Sequence, residues 1–306
     1  MRVVALHPDV LVVTSRMWQT NAVLLRAERA EREPPVSEAT AASVGPGLGP
    51  SGELPLAAPA GGTSGAGGAG ASAHEAMLVD SPYFPDELEA LPALGQGSGF
   101  AVEALLATHA DFDHLLGRLA FPKLALGVGA STADRLRAEP GAAQRELRDA
   151  DEGHYVVREA PLRLGAVQEL PLPGRLELGR EELELQPADG HTPDGMAVFA
   201  AHAGVLLPGD YLSDVEIPVL SPGGTLATYR ATLARLAPLV ERAERIVPGH
   251  GSPLTRELAL EVLDDDVDYL DALERGEERP SLALGRDSAR QRAVHAENLR
   301  RVESGE

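Results

Sequence analysis

The chain has 306 residues, no cysteine, and 47 acidic against 27 basic residues, giving a formal net charge of −20. A field of that sign repels phosphate backbones and excludes non-specific binding to nucleic acid. The absence of cysteine excludes disulfides, thiolate metal sites and a cysteine nucleophile, so any metal must be held by imidazole and carboxylate.

Hydrophobic residues make up 43% of the chain and aromatic residues only 4%, so Leu, Val and Ala must do most of the packing. Residues 1–13 hold a short apolar, strand-like run without the basic flank or small-residue cleavage site of a signal peptide. No apolar stretch reaches the roughly 18 residues that a membrane span needs. These features predict a cytoplasmic protein with no membrane association.

Runs at 10–14 and 21–27 predict two strands joined by a turn. From about 30 to 74 the chain is dominated by Gly, Ala, Pro and Ser. Such a composition buries too little apolar area to offset its ordering entropy, and it predicts a disordered surface insertion. Residues 76–80 read as a buried strand ending in Asp80, followed by a turn and a short helix over 81–91. A strand at 102–107 runs directly into a His/Asp cluster, and another follows at 123–128.

Residues 131–150 predict a helix broken near Pro140–Gly141. The alternating stretch 162–185 predicts successive strands with turns at Pro173–Gly174 and Gly179. A hairpin is expected from 196–200 to 205–207 through Ala203–Gly204, then an amphipathic helix over 228–244 and a short strand at Ile246–Val247. From 254 onward the pattern is helical and charged, broken around 276–280. Strands thus fall into two groups, each followed by helices, which predicts two packed sheets with helices outside. The expected organisation is a domain over 1–275, containing the insertion, and a charged helical tail over 276–306 that packs on the sandwich or on a second subunit of a homodimer.

The chemistry concentrates in Thr108-His109-Ala110-Asp111-Phe112-Asp113-His114, where four donor side chains fall within six residues just after a strand. In an extended segment positions 109, 111 and 113 point the same way, and His114 opens the next helix. Two carboxylates and two imidazoles on one loop suit zinc, iron or manganese. Read alone, the segment also fits an exposed loop whose Asp residues cap a helix. Three further turns weigh toward a metal: Gly190-His191-Thr192-Pro193, Pro208-Gly209-Asp210 and Pro248-Gly249-His250-Gly251. Each offers a His or Asp at a strand end.

In their order these motifs resemble the metallo-β-lactamase-fold hydrolases, whose pattern is T-H-x-H-x-D-H, then G-H-T, then Gly-Asp, then a late Gly-His-Gly. The likeness spans Asn21 to Pro253. It implies an α+β fold, an αββα sandwich of two packed mixed sheets with helices on the outer faces and metals at one edge between the sheets. By the same resemblance His109, His191 and position 111 would form one metal site. Asp113, His114 and His250 would form a second, with Asp210 bridging and Asp80 supporting from outside. Position 111 is Asp where the family usually has His. His109, Asp111 and His191 then make a two-His, one-carboxylate set that also suits iron or manganese; the other reading is that Asp111 only accepts hydrogen bonds beside the metal.

The function implied is a metal-dependent hydrolase with two divalent ions, zinc first and iron or manganese as alternatives. It would use a metal-activated water on a small-molecule ester, thioester, lactone or phosphoester, with Asp113 as the catalytic residue that orients the nucleophile or carries its proton. Two other readings stay open: a mono-iron oxygenase acting on a sulfur substrate, and a non-catalytic metal-binding regulatory protein. Tyr211 is read as reaching a substrate oxyanion or as packing. His7, His74, His154, His202 and His295 fall outside the motifs and are read as surface or core residues.

Overall fold

A computed structural model describes residues 1–31, 72–165, 167–283 and 285–305. The insertion expected over 30–74 lies almost wholly outside the described residues. Among the described residues, thirteen strands build two mixed sheets. In the first, β1 (Arg2–His7), β2 (Val10–Thr14), β3 (Asn21–Glu28) and β4 (His74–Val79) run antiparallel in sequence order. The parallel strands β5 (Val102–Ala107), β6 (Leu126–Gly129) and β7 (Gln168–Leu170) extend that sheet from β4. The second sheet has the order β13-β12-β11-β10-β9-β8. Its strands are β8 (Gly174–Leu178), β9 (Glu181–Pro187), β10 (Met196–Ala200), β11 (Val205–Leu207), β12 (Arg245–Ile246) and β13 (Leu254–Thr255). Only β11 and β12 pair in parallel there.

Why the central strands read as unbroken apolar runs is clear from where alternate residues go. Successive side chains of a strand face opposite ways, and here both faces are covered. Val10, Val12, Val23, Leu25, Met77 and Val79 meet Leu183, Leu185, Met196, Val198, Val205 and Leu207 between the sheets. The intervening Leu11, Val13, Leu24, Leu78 and Leu105 face outward onto Leu88, Leu91, Leu115, Leu116 and Leu147. Ala197, Phe199 and Leu206 face the other way, onto Leu233, Leu236, Val240 and Leu270. Three apolar layers between two helical layers and two sheets make an αββα sandwich, as the sequence pattern predicts.

The helices on the first sheet are α1 (Pro85–Gly97), the short α2 (Gly117–Ala120), α3 (Ala130–Ala138) and α4 (Ala142–His154). Pro140–Gly141 separates α3 from α4, with Gly141 in the left-handed region at φ 79°. The second sheet carries α5 (Leu226–Arg242), α6 (Arg256–Glu274) and α7 (Ala289–Ser304). On α7, Gln291, His295 and Asn298 are buried, and Val294, Leu299 and Val302 pack against the second outer layer. Among the described residues no helix is long and apolar enough to cross a membrane.

The topology sends one set of loops to a single edge. Residues 80 and 108 follow the parallel strands β4 and β5, and residues 208 and 247 follow the parallel strands β11 and β12. The β9–β10 turn and the start of β3 reach the same edge, because those strands pair antiparallel with their neighbours. A bridge between Thr20 and His250 ties the two sheets together there.

Candidate metal centre

At that edge His109, Asp111, His114, His191, Asp210 and His250 converge with Asp113. Three overlapping sets of donors lie within 4.8 Å of one another: His109–Asp111–His191, His109–His114–Asp210 and Asp113–His114–His250. Among the described residues these are the only groups of three or more such side chains with donor atoms this close together.

Asp210 sits in the middle. Its Oδ2 is 3.7 Å from His109 Nε2, 3.5 Å from His191 Nε2 and 3.3 Å from His250 Nε2, while its Oδ1 is 3.2 Å from His114 Nε2. Gly249 makes this convergence possible, since a Cβ there would overlap Asp210 Oδ1 and press on His114. Only glycine lets the 248–251 turn close over the carboxylate.

Each imidazole is oriented from behind. Thr108 Oγ1 lies 3.1 Å from His109 Nδ1, Asp80 Oδ2 3.0 Å from His114 Nδ1, the Val219 carbonyl 2.9 Å from His191 Nδ1 and the Trp18 carbonyl 3.2 Å from His250 Nδ1. Asp80, at φ 57°, also accepts hydrogen bonds from the Thr108 N–H at 2.8 Å and the Thr108 hydroxyl at 2.9 Å. All four rings therefore turn Nε2 inward. Such outer contacts fix ring tautomer and direction in metal sites.

The donor set fits a cation by what it leaves unmade. The Nε2 atoms of His109, His114 and His191 and the Oδ1 of Asp210 are buried with no hydrogen-bond partner, and His114 Nδ1 meets Asp80 as an ion pair without a hydrogen bond. Buried polar atoms are ordinarily paired. The gaps from imidazole to carboxylate, 3.2 to 3.8 Å, are mostly longer than a hydrogen bond. They match the spacing of about 3.4 Å between two ligands held tetrahedrally at about 2.1 Å.

Charge repeats the pattern. Burial raises the carboxyls of Asp111 and Asp210, but the facing histidines outweigh it and hold both well below the usual range. Burial lowers the imidazoles, yet the carboxylates outweigh it in turn: His191 rises to about 9 through Asp111 and Asp210, and His250 to about 10 through Asp210 and Glu216. His114 is raised well above its ordinary value by Asp210, Asp80 and Asp113.

One local expectation is corrected. Positions 109, 111 and 113 do not point the same way, because the extended chain stops at Asp111 (ψ 138°) and residues Phe112–His114 form a single 3-10 turn. The turn swings Asp113 beside His114 and toward His250, 3.4 Å away, while Asp111 stays with His109 and His191. Nor does Tyr211 face the cluster's interior: it is 2% exposed, accepts from the His191 N–H at 2.9 Å and donates to the Asp189 carbonyl at 2.8 Å. It packs behind His191.

Two residues that the sequence reading does not single out complete the first set. Arg135 Nη1 donates to Asp111 Oδ1 at 2.9 Å and to Asp194 Oδ1 at 2.8 Å. Asp194 stands three residues after His191 in the same turn, a signal present in the sequence; Arg135, on α3, has none beyond the unbalanced charge of Asp111. Of the other histidines, His295 is buried and bonded to Tyr269 and the Glu277 carbonyl, and His202 contacts the Arg26 carbonyl. The larger clefts, of about 460 Å³ beside α6 and about 710 Å³ beside α4, are lined by no residue of the cluster.

An αββα sandwich with imidazoles and carboxylates at the edge between its sheets defines a class of metal-binding folds. The chain belongs to the metallo-β-lactamase superfamily, whose sequence profile matches residues 71–250. Compared by sequence with curated proteins, it has no match. Among solved structures it is similar to a metallo-β-lactamase family protein from Thermus thermophilus, at 19% identity and TM-score 0.59 over 98% of this chain and 95% of that one. It is also similar to the stereoselective inverting sec-alkylsulfatase Pisa1 from Pseudomonas sp., at 14% identity and TM-score 0.64, over 99% of this chain and 50% of that one. A third likeness, at 21% identity and TM-score 0.50, is to TTHA1623, solved in a di-iron-bound form; it covers 82% of this chain and 97% of that one. At these identities the likenesses establish the fold.

Proposed function

We propose that the protein is a metal-dependent hydrolase that directs water onto a small ester, thioester, lactone or phosphoester. The observation that carries this reading is the set of buried, unpartnered Nε2 atoms of His109, His114 and His191 facing Asp210. His109, Asp111 and His191 would hold one divalent ion and Asp113, His114 and His250 a second, with Asp210 within reach of both. Zinc is the first candidate, with iron or manganese as alternatives. When bound, such ions supply Lewis acidity, polarising a carbonyl or phosphoryl oxygen and lowering the pKa of water from about 15.7 towards neutrality.

The protein's own contribution is geometry and proton handling. Asp113 orients the attacking water, accepts its proton at the carboxylate and returns it to the leaving group. Asp80, Thr108 and the Val219 and Trp18 carbonyls hold the imidazoles in one tautomer, so no reorganisation is needed when substrate arrives. A strongly acidic chain favours small substrates over nucleic acids. The test is a screen of metal-loaded protein against esters, thioesters, lactones and phosphodiesters, beside the Asp113→Ala variant. Turnover of one class by the wild type, lost by more than about a thousandfold in the variant, is expected; an equally active variant would refute the role of Asp113.

The two-His, one-carboxylate set formed by His109, Asp111 and His191 supports a second reading, an iron-dependent oxygenase. Iron as the sole tightly held metal, with oxygen consumption on a thiol substrate and no hydrolysis, would favour it.

A further inference from the structure

Asp111 is the residue at which the ligand pattern departs from its family, and its two oxygens have different partners. Oδ2 faces the cluster, 3.6 Å from His109 Nε2 and 3.7 Å from His191 Nε2. Oδ1 faces away and accepts from Arg135 Nη1 at 2.9 Å. The same nitrogen donates to Asp194 Oδ1 at 2.8 Å, and the other oxygen of Asp194 accepts the Ala110 N–H at 2.9 Å. Asp194 is 1% exposed and the Arg135 side chain 16% exposed.

These bonds close a ring: the backbone at 110, Asp194, Arg135 and Asp111. It is anchored in the fold, because α3, which carries Arg135, starts directly after β6, the parallel neighbour of the strand that feeds His109. Among the described residues Arg135 is the only Arg or Lys ion-paired to Asp80, Asp111, Asp113 or Asp210. A carboxylate has two oxygens and a short, mobile stem, so it can bind through one, bind through both or turn away; an imidazole at that place has no such choice.

We propose that Arg135 is the positioning residue that lets Asp111 serve where the family uses histidine. By occupying Oδ1 it leaves Oδ2 as the single donor to the ion between His109 and His191. Asp194 holds Arg135 in place and registers it against the backbone that carries both ligands. The first site thereby gains a hard oxygen donor of fixed direction, which favours Mn²⁺ or Fe²⁺ over Zn²⁺ more than the second site does. The inference rests on the two-metal reading above.

The test is a double-mutant cycle in the full-length protein: wild type, Arg135→Gln, Asp111→His, and both together. Glutamine removes the positive charge and shortens the reach while keeping a polar side chain. Stepwise Zn²⁺ and Mn²⁺ titrations against a chromophoric chelator give the affinity of each site, with His250→Ala marking the second-site step. Thermal unfolding of the metal-free forms shows which variants fold, and Arg135→Lys, which keeps the charge, gives a milder substitution.

Arg135→Gln should weaken the first site at least tenfold in the wild-type background and leave the second site within about threefold. In the Asp111→His background the same change should cost less than about threefold, because no carboxylate remains to be aimed. Asp111→His should also shift the first site's preference from Mn²⁺ towards Zn²⁺. An equal loss in both backgrounds would make Arg135 merely structural and overturn the proposal. Unchanged or tighter binding in Arg135→Gln would overturn it by showing that Arg135 withholds Asp111 from the metal. Wild-type protein with no first-site metal refutes the parent reading and this one together, before any variant is made; the other failures refute this one alone.

Discussion

The two halves of the cluster solve the same problem differently. Asp113, His114 and His250 are almost sealed, with side chains 8%, 0% and 6% exposed, and among the described residues no arginine is ion-paired to Asp113. His109 and His191 are nearly as buried, but Asp111 is 25% exposed and tied outward to Arg135. The sealed half takes its order from a 3-10 turn, from Asp80 and from the chain crossing at Trp18 and Thr20. The open half takes it from side chains brought by α3 and the β9–β10 turn. A ligand motif can therefore keep its geometry through a changed residue when the surroundings fix the replacement's free oxygen.

The largest expected effect erases the difference between the halves. Asp210 is within 3.7 Å of all four imidazoles, so Asp210→Ala should drop bound metal below one ion per chain by elemental analysis; retention of two would remove Asp210 from both sites. Next comes Gly249→Ala, whose new methyl overlaps Asp210 and crowds His114. It should disable the sealed half more than the open one, seen as loss of the step that His250→Ala also removes. Loss of both steps alike would mean that the turn supports the whole edge.

Asp80→Ala removes the partner of His114 Nδ1 and the acceptor of two Thr108 bonds. Metal affinity should fall about 10- to 100-fold, led by the sealed half. A smaller change separates the open half. Asn298, fully buried on α7, accepts the Leu220 N–H at 3.0 Å and donates to the Pro218 carbonyl at 2.7 Å. Those bonds fix the loop whose Val219 carbonyl orients His191. Asn298→Ala should cost about 1–3 kcal/mol of stability in denaturant titrations and weaken only the first site.

The last contrast is with pH. In metal-free protein His191 and His250 have folded pKa values near 9 and near 10, above the unfolded value of about 6.5. Their contribution to stability is complete below about pH 6.5 and is lost as pH rises through 9 to 10. The Tm of the metal-free protein should fall over that window. Metal-loaded protein, with its imidazoles already neutral, should show a flatter curve; parallel curves would contradict the assignment.

The candidate ligands are legible because His191, Asp210 and His250 sit in short glycine- and proline-marked turns, and because residues 109–114 crowd four donors directly after an apolar strand. Local sequence alone carries that signal, and unbroken or alternating apolar runs carry the sandwich in the same way. What escapes depends on contacts between distant segments. The turn at Phe112–His114 shows no helix-like pattern over three residues, so an extended reading aims Asp113 wrongly. Arg135 lies 24 positions from Asp111 on an otherwise ordinary charged helix, and the two orienting carbonyls, at Trp18 and Val219, have no side-chain signature at all. The two-residue strand β13 is likewise too short to show a period.

The most direct test of the account is the metal content of protein purified without added metal, measured by elemental analysis. The account predicts about two divalent ions per chain, lost in Asp210→Ala. Protein that binds no divalent metal, even after incubation with zinc, manganese or iron, would leave the fold standing and contradict the metal centre.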